Sequence, residues 1–95
     1  MSIAKIFKNE IILIEAKRQR AKNAIILNSK YRELSKIVGE TYWVKEYDEN
    51  IYLSKLEIKR LNKFEKRLRQ YVRQKINKGE HMDEQRFVEF IMRRM

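Results

Sequence analysis

Apolar side chains recur at helical spacing along the first third of the chain. At about 100° per residue they fall on one side of a helix. The positions are Ile3, Ile6, Phe7, Ile11, Ile14, Ala21 and Ile25. Asn28-Ser29 is a candidate break, after which a second helix would run to Gly39. A single bent helix is the alternative.

The clearest helix start lies at Ser54. Its hydroxyl can accept a hydrogen bond from the backbone N–H of Glu57, and the Glu57 carboxylate can accept one from the Ser54 N–H, as in a capping box. Gly79 suits a helix end, because glycine adopts the left-handed conformation at least cost. Together these residues predict a long helix from Lys55 to Lys78.

A short final helix is predicted to begin at Asp83, a residue type favoured at the N-cap. Its apolar side would consist of Phe87, Phe90, Ile91 and Met95. A helix this short is unstable alone, so it has to dock on another part of the protein.

The segment between Gly39 and Ser54 differs in character. Thr41-Tyr42-Trp43-Val44 and Ile51-Tyr52-Leu53 are rich in strand-forming residues, and residues 47–50 between them are polar. This pattern predicts a short β-hairpin around residues 41–53, with an ordered loop as the alternative. The fold class is therefore mainly α: a small bundle of three to four helices with one β-hairpin, in a single basic domain over residues 1–95.

Charge points to a polyanionic partner. Lys and Arg total 23 against 13 Asp and Glu, which gives a net charge of +10. Such a charge raises the affinity for polyanions, of which nucleic acid is the commonest. The excess is concentrated in residues 54–79, which have ten basic and two acidic side chains.

The predicted long helix has one apolar sector and a broad cationic remainder. Leu61, Phe64, Leu68, Tyr71 and Val72 share the apolar sector. The expected phosphate contacts come from Lys59, Arg60, Lys63, Lys66, Arg67, Arg69 and Arg73. A merely solvated helix face normally mixes charge signs, whereas this one has almost no acidic partners. A passive lysine-rich face is the competing interpretation.

A second basic cluster lies at residues 17–22. Its side chains point in several directions on a helix, so they cannot all grip one groove. We expect Arg18 and Arg20 to make secondary nucleic-acid contacts.

Two features predict contacts with a protein partner. Trp43 could anchor such a contact, as tryptophan often does, although aromatic residues more often fill a core. Ile11, Ile12 and Ile14 belong to an apolar run that covers a full helical turn, which suggests that another subunit covers part of it. A buried strand is the alternative. Self-association would double the cationic surface.

No catalytic, metal or cofactor site is expected. The chain has no cysteine, two glycines and a single histidine, His81. This composition excludes thiol chemistry, a glycine-rich phosphate loop and a histidine-based metal cluster. The apolar run at residues 11–14 is too short to span a bilayer, so we expect a cytoplasmic protein and rank a membrane partner last.

These patterns predict a non-catalytic nucleic-acid-binding protein of low sequence specificity. The alternative is a regulatory or assembly module that docks on an acidic protein surface. Both functions use the same cationic side chains.

Overall fold

A computed structural model of the chain describes residues 3–79 and 83–94. Over these ranges the chain forms α1 (Ile3–Ile37), a short 3-10 turn (Thr41–Trp43), α2 (Val44–Asn77) and α3 (Glu84–Arg94). The mainly helical prediction is confirmed. The predicted β-hairpin around residues 41–53 is wrong, because the described residues contain three α-helices and no strand.

Helical spacing overrides strand propensity in the middle segment. Most of the more buried positions at the start of α2 recur every three or four residues, at 44, 47, 51, 54, 58 and 61, and Leu56 is the further half-buried residue in this range. Residues 47–50 contain no glycine, the residue that adopts the positive φ of a tight hairpin turn at the least cost. A two-stranded hairpin is also marginal on its own. The segment therefore extends α2 towards the N-terminus.

The predicted helix start at Ser54 is wrong, because α2 already begins at Val44. Ser54 lies in the interior of α2 and is half-buried. Inside a continuous helix the backbone N–H groups already bond to carbonyls four residues earlier, so a capping residue has no open donor to satisfy.

The predicted break at Asn28-Ser29 is also absent, and α1 is a single helix. The Asn28 side-chain amide donates to the Ala24 carbonyl at 2.7 Å, one turn earlier. Asparagine often competes with helical structure through such local bonds. Here the side-chain bond runs to the carbonyl four residues earlier, as the backbone hydrogen bonds of the helix do, and α1 continues through Asn28.

Glycine ends α1 and α2 as predicted. Gly39 has φ +81°, its N–H donates to the Lys36 carbonyl at 3.2 Å, and the Glu40 N–H donates to the Ser35 carbonyl at 2.9 Å. This bond pair is the Schellman motif of helix C-termini. Gly79 ends α2 with a similar positive φ of +65°, and its N–H donates to the Ile76 carbonyl at 3.0 Å.

The chain divides into two compact units. The first, here called the three-helix unit, comprises Met1–Ile14 and Asn62–Met95 and so contains the start of α1, the end of α2 and all of α3. The second, the hairpin unit, comprises Glu15–Leu61. The single-domain expectation stays a prediction.

The three-helix unit has an aromatic core. Ile14, Leu68, Phe87 and Ile91 are buried. The Tyr71 ring lies 4.3 Å from the Phe90 ring and 5.9 Å from the Phe87 ring, and both pairs are stacked. These contacts fix α3 against α2.

The predicted N-cap of α3 is confirmed. The Gln85 N–H donates to the Asp83 carboxylate at 2.9 Å, and α3 begins at Glu84. The carboxylate satisfies one of the N–H groups that lack a partner in the first turn.

In the hairpin unit α1 and α2 run antiparallel. The Arg32 guanidinium pairs with the Asp48 carboxylate, and the Asn50 amide donates to the Asn28 side-chain oxygen at 3.2 Å. Few residues are buried here: Ala21, Ser35 and Leu61. Two helices alone cover only one side of each other, so much apolar surface stays exposed.

None of the helices in the described ranges has an apolar stretch of the length and hydropathy that bilayer crossing requires.

Candidate nucleic-acid interface

The end of α2 in the three-helix unit separates buried apolar from exposed basic side chains. Between residues 62 and 79 the sequence has seven Lys and Arg residues and one acidic residue, Glu65. Leu68 is fully buried, and Phe64, Tyr71 and Val72 are half-buried. This burial places the exposed cations on the other side of the helix.

Four of these cations form what we call the basic face: Lys63, Lys66, Arg67 and Arg73. All four side chains are exposed. Within residues 3–79 and 83–94, no carboxylate forms an ion pair with any of them. Their charge is therefore available to an external anion.

The basic face has a length suited to several phosphates. At a rise of about 1.5 Å per residue, Lys63 and Arg73 lie roughly 15 Å apart along the axis of α2. That distance corresponds to about four base-pair steps of a duplex at about 3.4 Å each. The helix fixes the backbone positions of the four cations along this row.

Exposed amides lie beside these cations and extend the row beyond Arg73, a feature that the charge pattern does not show. Gln70, Gln74 and Asn77 are exposed, and their spacing places them on the same side of α2 as the basic face. Side-chain amides donate hydrogen bonds to phosphates and to base edges. Their i, i+4 and i+7 spacing was visible in the sequence and could have identified them.

Two cations of this helix segment have internal contacts. Arg69 lies 3.7 Å from the Glu65 carboxylate and lines a cleft of about 290 Å³ with Phe7, Lys8, Ile11 and Ile12. The Lys75 ammonium lies 5.7 Å from the centre of the Tyr71 ring. Arg69, one of the predicted phosphate ligands, is thus already partly neutralised.

The remaining predicted phosphate ligands belong to the hairpin unit. Lys59, Arg60 and Arg20 are exposed, and Arg18 is half-buried. Arg20 lines an open cleft of about 470 Å³ together with Lys17, Ala21, Leu53, Ser54 and Glu57. Glu57 moderates the positive charge of this cleft.

The predicted partner-binding residues differ in exposure. Trp43 is partly exposed, and its ring centre lies 5.3 Å from that of Tyr42 in the 3-10 turn. Ile14 is buried in the core of the three-helix unit, Ile11 is half-buried and Ile12 faces solvent. The chain therefore covers Ile14 and part of Ile11, whereas Ile12 and Leu13 of this apolar turn stay exposed.

No cluster of metal-binding side chains occurs within the part of the chain that the structure describes. His81 and Met95 lie outside the described residues. The chain matches no protein-family model, and no curated protein or solved structure is significantly similar to it.

Proposed function

We propose that the protein binds nucleic acid through the basic face of α2 without catalysing a reaction. The observation that supports this most directly is the row of four exposed cations that pair with no carboxylate among residues 3–79 and 83–94. Solvated helix faces normally mix positive and negative charge, because such pairs stabilise the helix. A face that lacks carboxylates gives up that stabilisation and leaves its charge for a ligand.

The ligand contacts are mainly to the phosphate backbone. Lysine and arginine neutralise phosphates and release the counterions condensed on the nucleic acid. The exposed amides of Gln70 and Gln74 add hydrogen-bond donors within the same row. No side chain is fixed in a geometry that reads one base, so binding has low sequence specificity.

The number of cations sets the expected salt dependence. Four phosphate contacts give a slope of log K against log salt of about −3.6 on duplex DNA. Between about 50 and about 200 mM salt, affinity then falls by roughly 100-fold. A larger contact set that includes Lys59 and Arg60 gives a steeper slope.

The experiment is fluorescence anisotropy with labelled duplex DNA, single-stranded DNA and an RNA hairpin. The test variant replaces Lys63, Lys66, Arg67 and Arg73 with glutamine, which preserves helix propensity. The matched control replaces four exposed lysines of the hairpin unit with glutamine and so loses the same charge: Lys30, Lys36, Lys45 and Lys55. Circular dichroism checks that both variants keep their helix content.

The test variant should bind at least about tenfold more weakly and lose most of the salt slope, while the control keeps it. Equal weakening of both variants would mean that net charge acts without a defined site, and it would contradict the proposal. Absence of wild-type binding at the lower salt would also contradict it. Polyglutamate that binds as tightly as any nucleic acid would favour the acidic-protein alternative.

A further inference from the structure

The hairpin unit exposes an apolar seam, along α1 and the residue that follows it, that the proposed nucleic-acid contacts do not use. Leu27, Tyr31, Leu34 and Val38 follow one another at intervals of four, three and four residues, which places them within one narrow sector. They are 48%, 45%, 56% and 66% exposed. We call these four residues the apolar seam. Four large apolar side chains on successive turns form a patch of the kind that marks an interaction site.

We propose that a second copy of this chain packs on the apolar seam, with the two α1 helices antiparallel. The interval pattern of the seam reads the same in both directions along the helix. An antiparallel copy therefore places Leu27 opposite Val38 of the second copy, and Tyr31 opposite Leu34 of the second copy. A two-fold symmetric interface needs this kind of self-complementary surface.

The charge around the seam favours a second copy over a charged partner. Residues 24–53 contain four basic and five acidic side chains, although the whole chain has a net charge of +10. Two such nearly neutral regions can approach each other with little repulsion, whereas most other pairings of two strongly basic chains repel. A nearly neutral surface also attracts neither nucleic acid nor an acidic protein.

The residues that extend the seam determine its orientation. Continuing the heptad spacing towards the N-terminus leads through Ala24 to Arg20 and Lys17. A parallel dimer would bring Arg20 against Arg20 and Lys17 against Lys17 of the second copy, and these pairs of like charges repel. In the antiparallel arrangement both residues lie beyond the turn that ends α1 of the second copy.

The available area is compatible with a reversible dimer. At roughly 100 Å² of exposed surface for each seam residue, the seam contributes about 400 Å² per copy, against about 800 Å² per partner in a standard interface. The remaining area comes from atoms beside the seam, which lose their exposure to solvent when the two helices touch. Packing two hairpin units in this way gives four helices around the seam, an arrangement in which each helix covers its neighbours.

The first test is sedimentation of the full chain from about 1 to about 200 µM, with nucleic acid removed. Leu27→Lys/Leu34→Lys places two charges within the seam of each copy and should raise the dimer Kd by about 100-fold or more. The matched control, Ile26→Lys/Ile37→Lys, adds the same charge at residues that are 54% and 72% exposed on another side of α1. It should leave the Kd within about threefold.

The second test is disulfide trapping, which does not depend on the folding of the lysine variants. The chain has no native cysteine. A mixture of Tyr31→Cys and Leu34→Cys chains should form the mixed disulfide in preference to either symmetric one, since only 31 and 34 of the second copy lie level. Positions 29 and 36 also lie at the same height along the two antiparallel helices, but on the side of α1 away from the seam. A mixture of Ser29→Cys and Lys36→Cys chains should therefore not crosslink.

Both tests can overturn the inference. A wild-type chain that stays monomeric at about 200 µM would refute it. A seam variant that dimerises as well as the control, or equal crosslinking of the two cysteine mixtures, would also refute it. A control variant that dissociates while the seam variant does not would place the interface on the Ile26 and Ile37 side instead.

Discussion

The dependence of α3 on Phe87 gives a sharp test of the three-helix unit. Phe87 is completely buried and its ring stacks on Tyr71. Helix α3 has 11 residues, fewer than the roughly 12–15 that an isolated helix needs to be even marginally stable in water. Its helical state therefore depends on the docked side chains Phe87, Phe90 and Ile91. Of these three, Phe87 and Ile91 are buried, and Phe87 is the larger. Truncating Phe87 to alanine therefore removes the larger of the two buried side chains.

The magnitude follows from the burial. Replacing a core phenylalanine with alanine costs about 3–5 kcal/mol, because both the transfer energy and a cavity are involved. A chain of this length has a total stability of about 5–14 kcal/mol, at about 0.05–0.15 kcal/mol per residue. The loss is therefore a large share of the total, and it falls on contacts that hold α3 in place.

Hydrogen exchange and urea unfolding measure this loss. In Phe87→Ala the amides of residues 84–94 should exchange about 100-fold faster or more. The control is Met92→Ala on the same helix. Met92 is 70% exposed, so its truncation should change stability by about 0.5 kcal/mol or less.

Equal exchange rates for α3 in the two variants would refute the reasoning. The same holds if Phe87→Ala shifts the urea midpoint no more than Met92→Ala does. Either result would mean that α3 does not depend on Phe87 for its docking, and that the aromatic core described above is not what stabilises this unit.

Two further predictions concern helix ends. Asp83→Ala should destabilise α3 by about 1 kcal/mol, because the Gln85 N–H loses its acceptor. Asp83→Asn should cost little, since asparagine also caps helices well. Urea unfolding measures both variants, and equal losses of stability would contradict the capping role. Gly39→Ala should cost about 1–2 kcal/mol from backbone strain alone, since φ is +81° and no atom lies within 4 Å of the added Cβ. Gly39→Asn should recover part of this loss of stability in thermal unfolding. A Gly39→Ala variant as stable as the wild type would contradict the role of the positive φ.

Helix ends were the most predictable part of the fold. Gly39, Gly79 and Asp83 each act through local backbone chemistry: a positive φ is cheapest for glycine, and a short carboxylate reaches the first-turn N–H groups. Such effects depend on a few neighbouring residues. The sequence around them is therefore sufficient to locate them.

Helix continuity was not predictable from the same local patterns. Ser54 with Glu57 fits a capping box and Asn28 fits a break, yet both lie within helices. A cap is needed only where the preceding residues are not helical, and this is decided by packing. Tyr47 illustrates the point, because its ring contacts Tyr31 of α1 at 5.8 Å and so favours helix where the sequence suggested a turn.

The candidate site was predictable in part. Helical projection identified the cations of the long helix, and five of the seven belong to the three-helix unit. It did not use the i, i+4 spacing within this helix, which places Glu65 beside Arg69 and Tyr71 beside Lys75 and so already indicated these two contacts. The apolar seam was missed because Leu27 and Leu34 were assigned to two separate helices. Only a continuous α1 gives them one spacing.

The distribution of charge explains how two kinds of contact could coexist in one small chain. Averaged over the sequence, a charge of +10 would oppose any self-association. The charge is not averaged, however: residues 62–79 have seven basic side chains and one acidic, while residues 24–53 are nearly neutral. At physiological salt the screening length is about 8 Å, so each surface responds mainly to the charges near it. A nearly neutral apolar seam can therefore pair with its own copy while a cationic helix face binds phosphates. The positive charge needed for phosphate binding lies outside residues 24–53, so it adds little repulsion at the seam.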